Sequence, residues 1–285
     1  MSDQQCVEFL QWALPRLRLR WGGFRKVRRQ VRKRIKRRID QLGLQDITAY
    51  RAYLESHAAE WSLLDGFCRI PISRFYRDRG VFDHLRDRIL PELARLAADA
   101  DEKVVRCWCA GCASGEEVYT MAILWQTCLL PCFPAVRLRQ LATDVDPQML
   151  QRARRACYSA SSLKDVPSGW LDTAFTRSAE GYVLRPKFAG EIEFRRQDIR
   201  AELPDGPFHL VLCRHLVFTY FAEDLQQEIF RRIAGRMVPG GILVTGKQEP
   251  LPEGVEGISP CGRNLGIYRI VDRPIPRPSS PRNGS

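Results

Sequence analysis

The chain has 285 residues, 45% hydrophobic and 27% charged, with a formal net charge of +12, the balance of a globular protein with room for two domains. No apolar run reaches the roughly 20 residues that a membrane-spanning helix needs, and the start, MSDQQCVEFL, lacks the basic and apolar regions of a signal peptide. Ten cysteines in a chain of this length point to reduced thiols and a cytoplasmic setting, not to a disulfide scaffold.

The charge is not evenly spread. Residues 16–38 hold thirteen Lys and Arg and no acid, so the rest of the chain is close to neutral. Within this segment Phe24, Val27, Val31, Ile35, Ile39 and Leu42 recur at helical period. A second stripe, Arg25, Arg29, Arg32 and Lys36, runs along another face, with Arg28 and Arg34 beside it. This predicts a helix anchored by one side that offers a cationic ridge to an anionic partner. An acidic protein, RNA, DNA and an anionic membrane surface all meet that description. No zinc finger, RNP motif or aromatic interleaving on the ridge favours nucleic acid.

Residues 45–67 read as short helices with Trp61, Leu63, Leu64 and Phe67 as core. Arg69–Arg77 reads as a connection in which Pro71 breaks helix. Val81–Leu96 is an amphipathic helix with an expected break or restart at Pro91.

From Val104 the pattern changes. Val104–Cys109 is a β-prone run, Gly111–Gly115 a small-residue turn, and Glu116-Glu117 a helix start continued by Val118, Met121, Ala122, Leu124 and Trp125. Strand, glycine turn and helix open a nucleotide-binding α/β unit. The glycine spacing is neither that of the dinucleotide fingerprint nor that of a phosphate loop. Two glutamates at the helix start would repel a pyrophosphate. A nucleoside carrying positive charge suits the turn better, and S-adenosylmethionine is one. Cys107, Cys109 and Cys112 lie close together, but with Cys128 and Cys132 they follow no common zinc spacing, so buried thiols and no metal are expected.

Val136–Thr143 is the next strand and ends in Asp144-Val145-Asp146 before Pro147. Asp146 suits the N-cap of a helix over Pro147–Ala156. That leaves Asp144, at a strand tip, to accept ribose hydroxyls. Residues 158–192 carry turn signals and a hairpin near Gly181-Tyr182. Ile192–Phe194 is a strand leading to Asp198-Ile199, followed by a buried strand Phe208–Cys213 and a helix Glu223–Met237. Pro239-Gly240-Gly241 is a turn into the strand Ile242–Thr245, and Leu265–Val271 is a last, antiparallel strand. Residues 273–285 are Pro/Ser-rich and expected to be disordered.

Five blocks, ISRFYRD (72–78), AGCASGEEVYT (110–120), ATDVD (142–146), LCRHLVFTYF (212–221) and VPGGILVTGKQE (238–249), resemble in order the signature blocks of CheR-type methyltransferases, which methylate glutamate side chains of bacterial chemoreceptors with S-adenosylmethionine. The resemblance runs over about residues 20–271. It implies an α/β fold, a Rossmann-like class I methyltransferase sheet with an N-terminal helical domain (1–98), a methyltransferase domain (99–272) and a small antiparallel β-subdomain (158–192). It places Ser73, Arg77, Gly111, Gly115, Glu117, Asp144, Asp198, Ile199, His215 and Leu216 around the cofactor. Tyr220 and Arg77 fall beside the transferred methyl, and Arg25, Arg29, Arg32 and Lys36 face an acidic, chemoreceptor-like helix. A monomer acting on that partner is expected.

Such a transfer needs no general base, because a glutamate of pKa about 4.3 is already ionised. No nucleophile elbow is present, in keeping with a site that only positions its reactants. The chain departs from the family at several points. His215 stands for Asn, one extra residue precedes Tyr220-Phe221, Asp198 replaces an Asn at the adenine, and Lys247-Gln248 replace His-Ser. These lie on the acceptor side or at the adenine, while Gly111, Gly115, Glu117 and Asp144 are intact. A methyltransferase for a nitrogen or small-molecule acceptor, or a non-catalytic cofactor-binding module, are the alternatives.

Overall fold

The computed structural model describes residues 1–271; the expected disordered tail lies outside the described residues. The chain forms two compact units, one of residues 1–72 with 215–227 and one of residues 73–214 with the rest of the described chain. The lines are drawn differently from a division at residue 98.

The first unit is helical. Helix α1 (Asp3–Ala13) starts with a capping box in which Gln5 N donates to Ser2 Oγ at 3.1 Å and Ser2 N to Gln5 Oε1 at 2.7 Å. Helix α2 (Arg28–Gln41) buries Val31, Ile35 and Ile39, worth on the order of 2 kcal/mol each. It ends where Gly43 takes φ +66°, a left-handed conformation that suits glycine. Asp46 caps α3 (Ile47–Ser56) by accepting from Ala49 N at 2.9 Å, and α4 (Ala58–Phe67) follows. The buried Glu60 carboxylate joins three helices. It accepts from Arg38 at 2.9 and 2.8 Å and from the Tyr50 hydroxyl at 2.9 Å. Residues 215–227 join this unit by a short antiparallel pairing in which Arg20 N donates to Tyr220 O and Ala222 N to Arg18 O.

The second unit holds the sheet. Its chain passes from α5 (Arg79–His84) through one wide turn, Leu85–Ile89, into α6 (Leu90–Asp99). Pro91 sits in the first turn of α6, where a missing N–H costs little, so the helix restarts there as expected, after the π-type turn. Strands β1 (Val104–Ala110), β2 (Arg137–Asp144), β6 (Glu191–Arg196), β7 (Phe208–Leu212) and β8 (Met237–Val244) run parallel. β9 (Ile258–Pro260) and β10 (Ile267–Ile270) complete a seven-stranded sheet of order β6-β2-β1-β7-β8-β10-β9. β10 is antiparallel to β8, as expected. Helices α7 (Glu116–Leu124) and α8 (Pro147–Arg155) follow β1 and β2, and α9 (Glu223–Ala234) precedes β8.

Three local expectations are corrected. β8 begins at Met237, before Pro239-Gly240-Gly241, and these residues form an irregularity inside the strand: Phe208 pairs with Met237 but Leu210 with Ile242. Gly240 at φ +73° makes that possible. The helix before it ends at Ala234, not Met237. β9, only three residues long, had no signal in the sequence. A separate three-stranded antiparallel sheet of order β3-β5-β4 is built from β3 (Cys157–Tyr158), β4 (Phe175–Ser178) and β5 (Gly181–Leu184). Its hairpin turns at Ala179-Glu180, just before Gly181.

The core of this unit packs Val105, Cys107, Cys109, Leu138, Ala142, Leu210, Leu212, Ile242 and Val244 of the sheet against α6 and α7. No helix among the described residues is long and apolar enough to cross a membrane.

Candidate functional site

The strand tips of β1 and β2 are tied together by the turn between β1 and α7. Gly111 N and Cys112 N both donate to Thr143 O, at 2.8 and 2.9 Å. Gly111 sits at φ +72° and Gly115 at φ +88°. At Gly115 an added Cβ would also lie 3.0 Å from Ala153 Cβ and 3.2 Å from the Tyr119 ring, so both the dihedral and the space demand glycine. Tyr158 braces the turn from below by donating to Ser114 O at 2.7 Å.

Asp144 ends β2 with its carboxylate held from two sides. Ala113 N donates to Oδ2 at 2.8 Å and Asp146 N to Oδ1 at 2.9 Å. Asp146 is the N-cap of α8, accepting from Gln148 N at 2.8 Å. The Asp146 cap is the one its place before Pro147 predicts.

The two glutamates of α7 differ. Glu116 is 2% exposed and takes the Ser114 hydroxyl on both oxygens at 3.0 Å. Glu117 has one oxygen, Oε2, 2.7 Å from Arg214 Nη1. Arg214 also donates to Asp78 Oδ2 at 2.7 Å and to the Arg77 carbonyl at 2.8 Å. One buried cation thus faces two carboxylates.

The connection carrying Ser73 and Arg77 is fixed along its length. Phe75 N donates to Ser162 O at 3.0 Å, and the Phe75 ring meets Tyr158 and Phe175 edge-on at 4.8 and 5.2 Å. Tyr76 N donates to the Thr120 hydroxyl at 3.1 Å. Ser73 and Arg77 are half-buried. Beyond β6, Gln197 N donates to Asp144 O at 3.0 Å, which sets Asp198 beside the tip of β2. The Asp198 carboxylate is paired with Arg200 at 2.8 Å, and Ile199 is buried.

The expected site residues are therefore divided between the units. Ser73, Arg77, Gly111, Gly115, Glu117, Asp144, Asp198 and Ile199 belong to the second; His215, Leu216 and Tyr220 belong to the first. There, His215 takes φ +55°, a region where the Asn it replaces sits more easily. Tyr220 lies in a single helical turn, Val217–Tyr220, its ring 5.1 Å from that of Phe24. An added Cβ at Gly23 would lie 2.3 Å from Thr219 O, so this turn rests on bare backbone.

Of the cationic stripe, Arg25, Arg29 and Lys36 are exposed, together with Lys26, Lys33 and Arg37. Arg32 is half-buried and lies 3.4 Å from Asp3, which also holds Arg28 at 2.8 Å. Arg34 is turned to the Phe67 carbonyl and Arg38 to Glu60. On α2 the outward residues are Arg29, Lys33, Lys36 and Arg37, with Arg32 on the flank; Arg25 lies, with Val27, in a turn before α2, where the periodicity predicts continuous helix.

Arg214 is the residue that sequence reasoning passed over. Its one signal is a cation following an apolar strand, and its partners lie 97 and 136 residues away. Cys107, Cys109 and Cys112 are buried as expected, whereas Cys128 and Cys132 are exposed. The Cys107 thiol and burial push Cys109 well up, and burial beside the Asp144 and Glu117 carboxylates does the same to Cys112. Among the described residues no group of three His, Cys, Asp or Glu is arranged to hold a metal.

The donor set fits S-adenosylmethionine: an anchored strand-tip acid suits ribose hydroxyls, and an acidic cluster at a glycine turn suits an ammonium. The family profile described as CheR methyltransferase, SAM binding domain, matches residues 72–263. A chemotaxis protein methyltransferase of Listeria monocytogenes is 32% identical over 195 residues, covering 66% of this chain and 70% of that protein. One of Escherichia coli is 31% identical over 230 residues, covering 78% and 76%. An uncharacterized 104.1 kDa protein of Rhodobacter capsulatus is 29% identical over 252 residues, 88% of this chain but only 26% of that longer protein.

Proposed function

This chain belongs to the CheR family of S-adenosylmethionine-dependent methyltransferases, and from that premise we propose that it methylates glutamate side chains on an acidic helix of a chemoreceptor-type protein. S-adenosylmethionine would supply an electrophilic methyl on its sulfonium, taken in line by the acceptor carboxylate as the C–S bond breaks and S-adenosylhomocysteine leaves. The observation that carries the reading is the Asp144 carboxylate, held by Ala113 N and Asp146 N at the tip of β2 where a ribose would rest.

In this reading Asp144 takes the ribose hydroxyls and Glu117 the ammonium of the amino-acid end. Gly111 and Gly115 shape the turn that meets the ligand, and Asp198 with Ile199 borders the adenine. Ser73, His215 and Leu216 complete the cofactor's surroundings. Arg77 steers the acceptor carboxylate by paired hydrogen bonds, which a planar guanidinium does well. Tyr220 positions the methyl-receiving oxygen. No residue has to move a proton, because the acceptor is an anion before it arrives. Acceleration then comes from orientation and exclusion of water.

Arg25, Arg29, Arg32 and Lys36, with Lys33, would guide the acidic acceptor in a cytoplasmic setting. The chain acts as a monomer in this account. The test is transfer of labelled methyl to the cytoplasmic fragment of a chemoreceptor and to a copy with its acceptor glutamates changed to alanine. Label on the first alone supports the proposal; equal label on both removes it. His215, Asp198 and the additional residue before Tyr220 favour one second reading, a methyltransferase of the same cofactor with a different acceptor, for which the fragment would stay unlabelled.

A further inference from the structure

We propose that Arg214 is a positioning residue for methyl transfer: one buried cation that sets the Glu117 carboxylate and the Arg77–Asp78 connection in a single geometry. The inference rests on the reading of Glu117 as a cofactor ligand and of Arg77 as the group that meets the acceptor.

The side chain of Arg214 is 3% exposed. Its Nη1 is 2.7 Å from Glu117 Oε2, at the start of α7. Its Nη2 is 2.7 Å from Asp78 Oδ2 and 2.8 Å from the Arg77 carbonyl, just before α5. The guanidinium lies over the Phe82 ring at 5.0 Å, which fixes its plane. Glu117 and Asp78 stand on different elements, and this fork touches both. An ammonium could neutralise the charge but could not span the two carboxylates and the carbonyl with planar, divergent donors.

The connection needs such a hold. Tyr76 and Asp78 both lie in the left-handed region, at φ +56° and +62°, where non-glycine residues are strained. Asp78 is therefore in a conformation that its bond to Arg214 helps maintain, and the position of Arg77 follows from it. On the other side, Arg214 takes one oxygen of Glu117 and orients the carboxylate. The Nε of Arg214 is buried without a partner among the described residues. That is a cost the fold bears to put both Nη groups where they are.

The experiment measures S-adenosylhomocysteine affinity by calorimetry, and kcat and KM with a carboxylate acceptor, for Arg214→Lys, Glu117→Gln, Asp78→Asn and the Glu117→Gln/Asp78→Asn pair. Arg214→Lys is expected to bind the ligand about tenfold more weakly and to lose more in kcat than in acceptor KM, since it loosens both sides of the site. Glu117→Gln and Asp78→Asn should combine non-additively, by about threefold or more in affinity, because they share one guanidinium. Wild-type affinity in Glu117→Gln overturns the underlying cofactor reading and the inference with it. Weakened Glu117→Gln together with additive effects and an Arg214→Lys variant within about twofold of wild type overturns this inference alone. Should Arg214→Lys fail to fold, the Glu117→Gln/Asp78→Asn cycle decides the matter by itself.

Discussion

The amide of Ala113 donates to the carboxylate of Asp144 at 2.8 Å, fastening the turn after one strand to the acid at the tip of its neighbour. The bond makes Asp144 both a ligand candidate and a brace, and the two roles separate experimentally. Asp144→Asn retains an acceptor for the Ala113 amide but loses the charge. It should keep the fold, and cofactor affinity should fall by about 1.5–3 kcal/mol, the worth of a hydrogen bond to a charged group. Calorimetry with unchanged affinity would remove Asp144 from the ribose site.

The exposed ridge makes a prediction about rate and salt. Reversing Arg29 and Lys36, both exposed, should raise the KM for an acidic macromolecular acceptor severalfold. Cofactor affinity should stay as it is, because neither residue belongs to the unit that holds Asp144 and Glu117. Long-range attraction of this kind is screened beyond roughly 8 Å at physiological salt, so the wild type should lose activity steeply with added salt and the variant less so. Steady-state kinetics at two ionic strengths would show it. Identical salt curves would mean that the ridge does not steer the acceptor.

Glu60 links stability to pH in the helical unit. The Arg38 hydrogen bonds, more than the opposing burial, hold its carboxyl below the ordinary 4.5. A group lowered in the folded state binds more protons when unfolded at acid pH. Its contribution is complete above the ordinary value and is lost as pH falls through the folded one. Glu60→Gln should cost about 3 kcal/mol at neutral pH, the low end for breaking a buried pair from one side. The gap to the wild type should narrow below pH about 4.5. Urea unfolding at several pH values measures this, and a gap that stays constant from neutral pH to acid would contradict it.

Much of the sheet was legible because its strands are apolar runs closed by turn residues, and Asp146 before Pro147 announced a helix cap. The same local rules failed where the structure bends instead of stopping. Gly240 lets β8 run through a segment that reads as a turn. The glycine turn and Asp144 could be found by spacing alone. Arg214 could not, since its worth comes from Glu117 and Asp78, which only the folded chain brings to it. Likewise periodicity places Arg32 on the ridge, but the start of α1 brings Asp3 beside it.

The chemistry of the transferred methyl tests the central claim most directly. The protein, S-adenosylmethionine labelled in its methyl group and the cytoplasmic fragment of a chemoreceptor are incubated together, and the labelled product is treated with mild alkali. The account predicts a label that leaves as volatile methanol, since a glutamate methyl ester is cleaved by base. A label that stays on the protein through alkali would mean methylation at nitrogen and would contradict it.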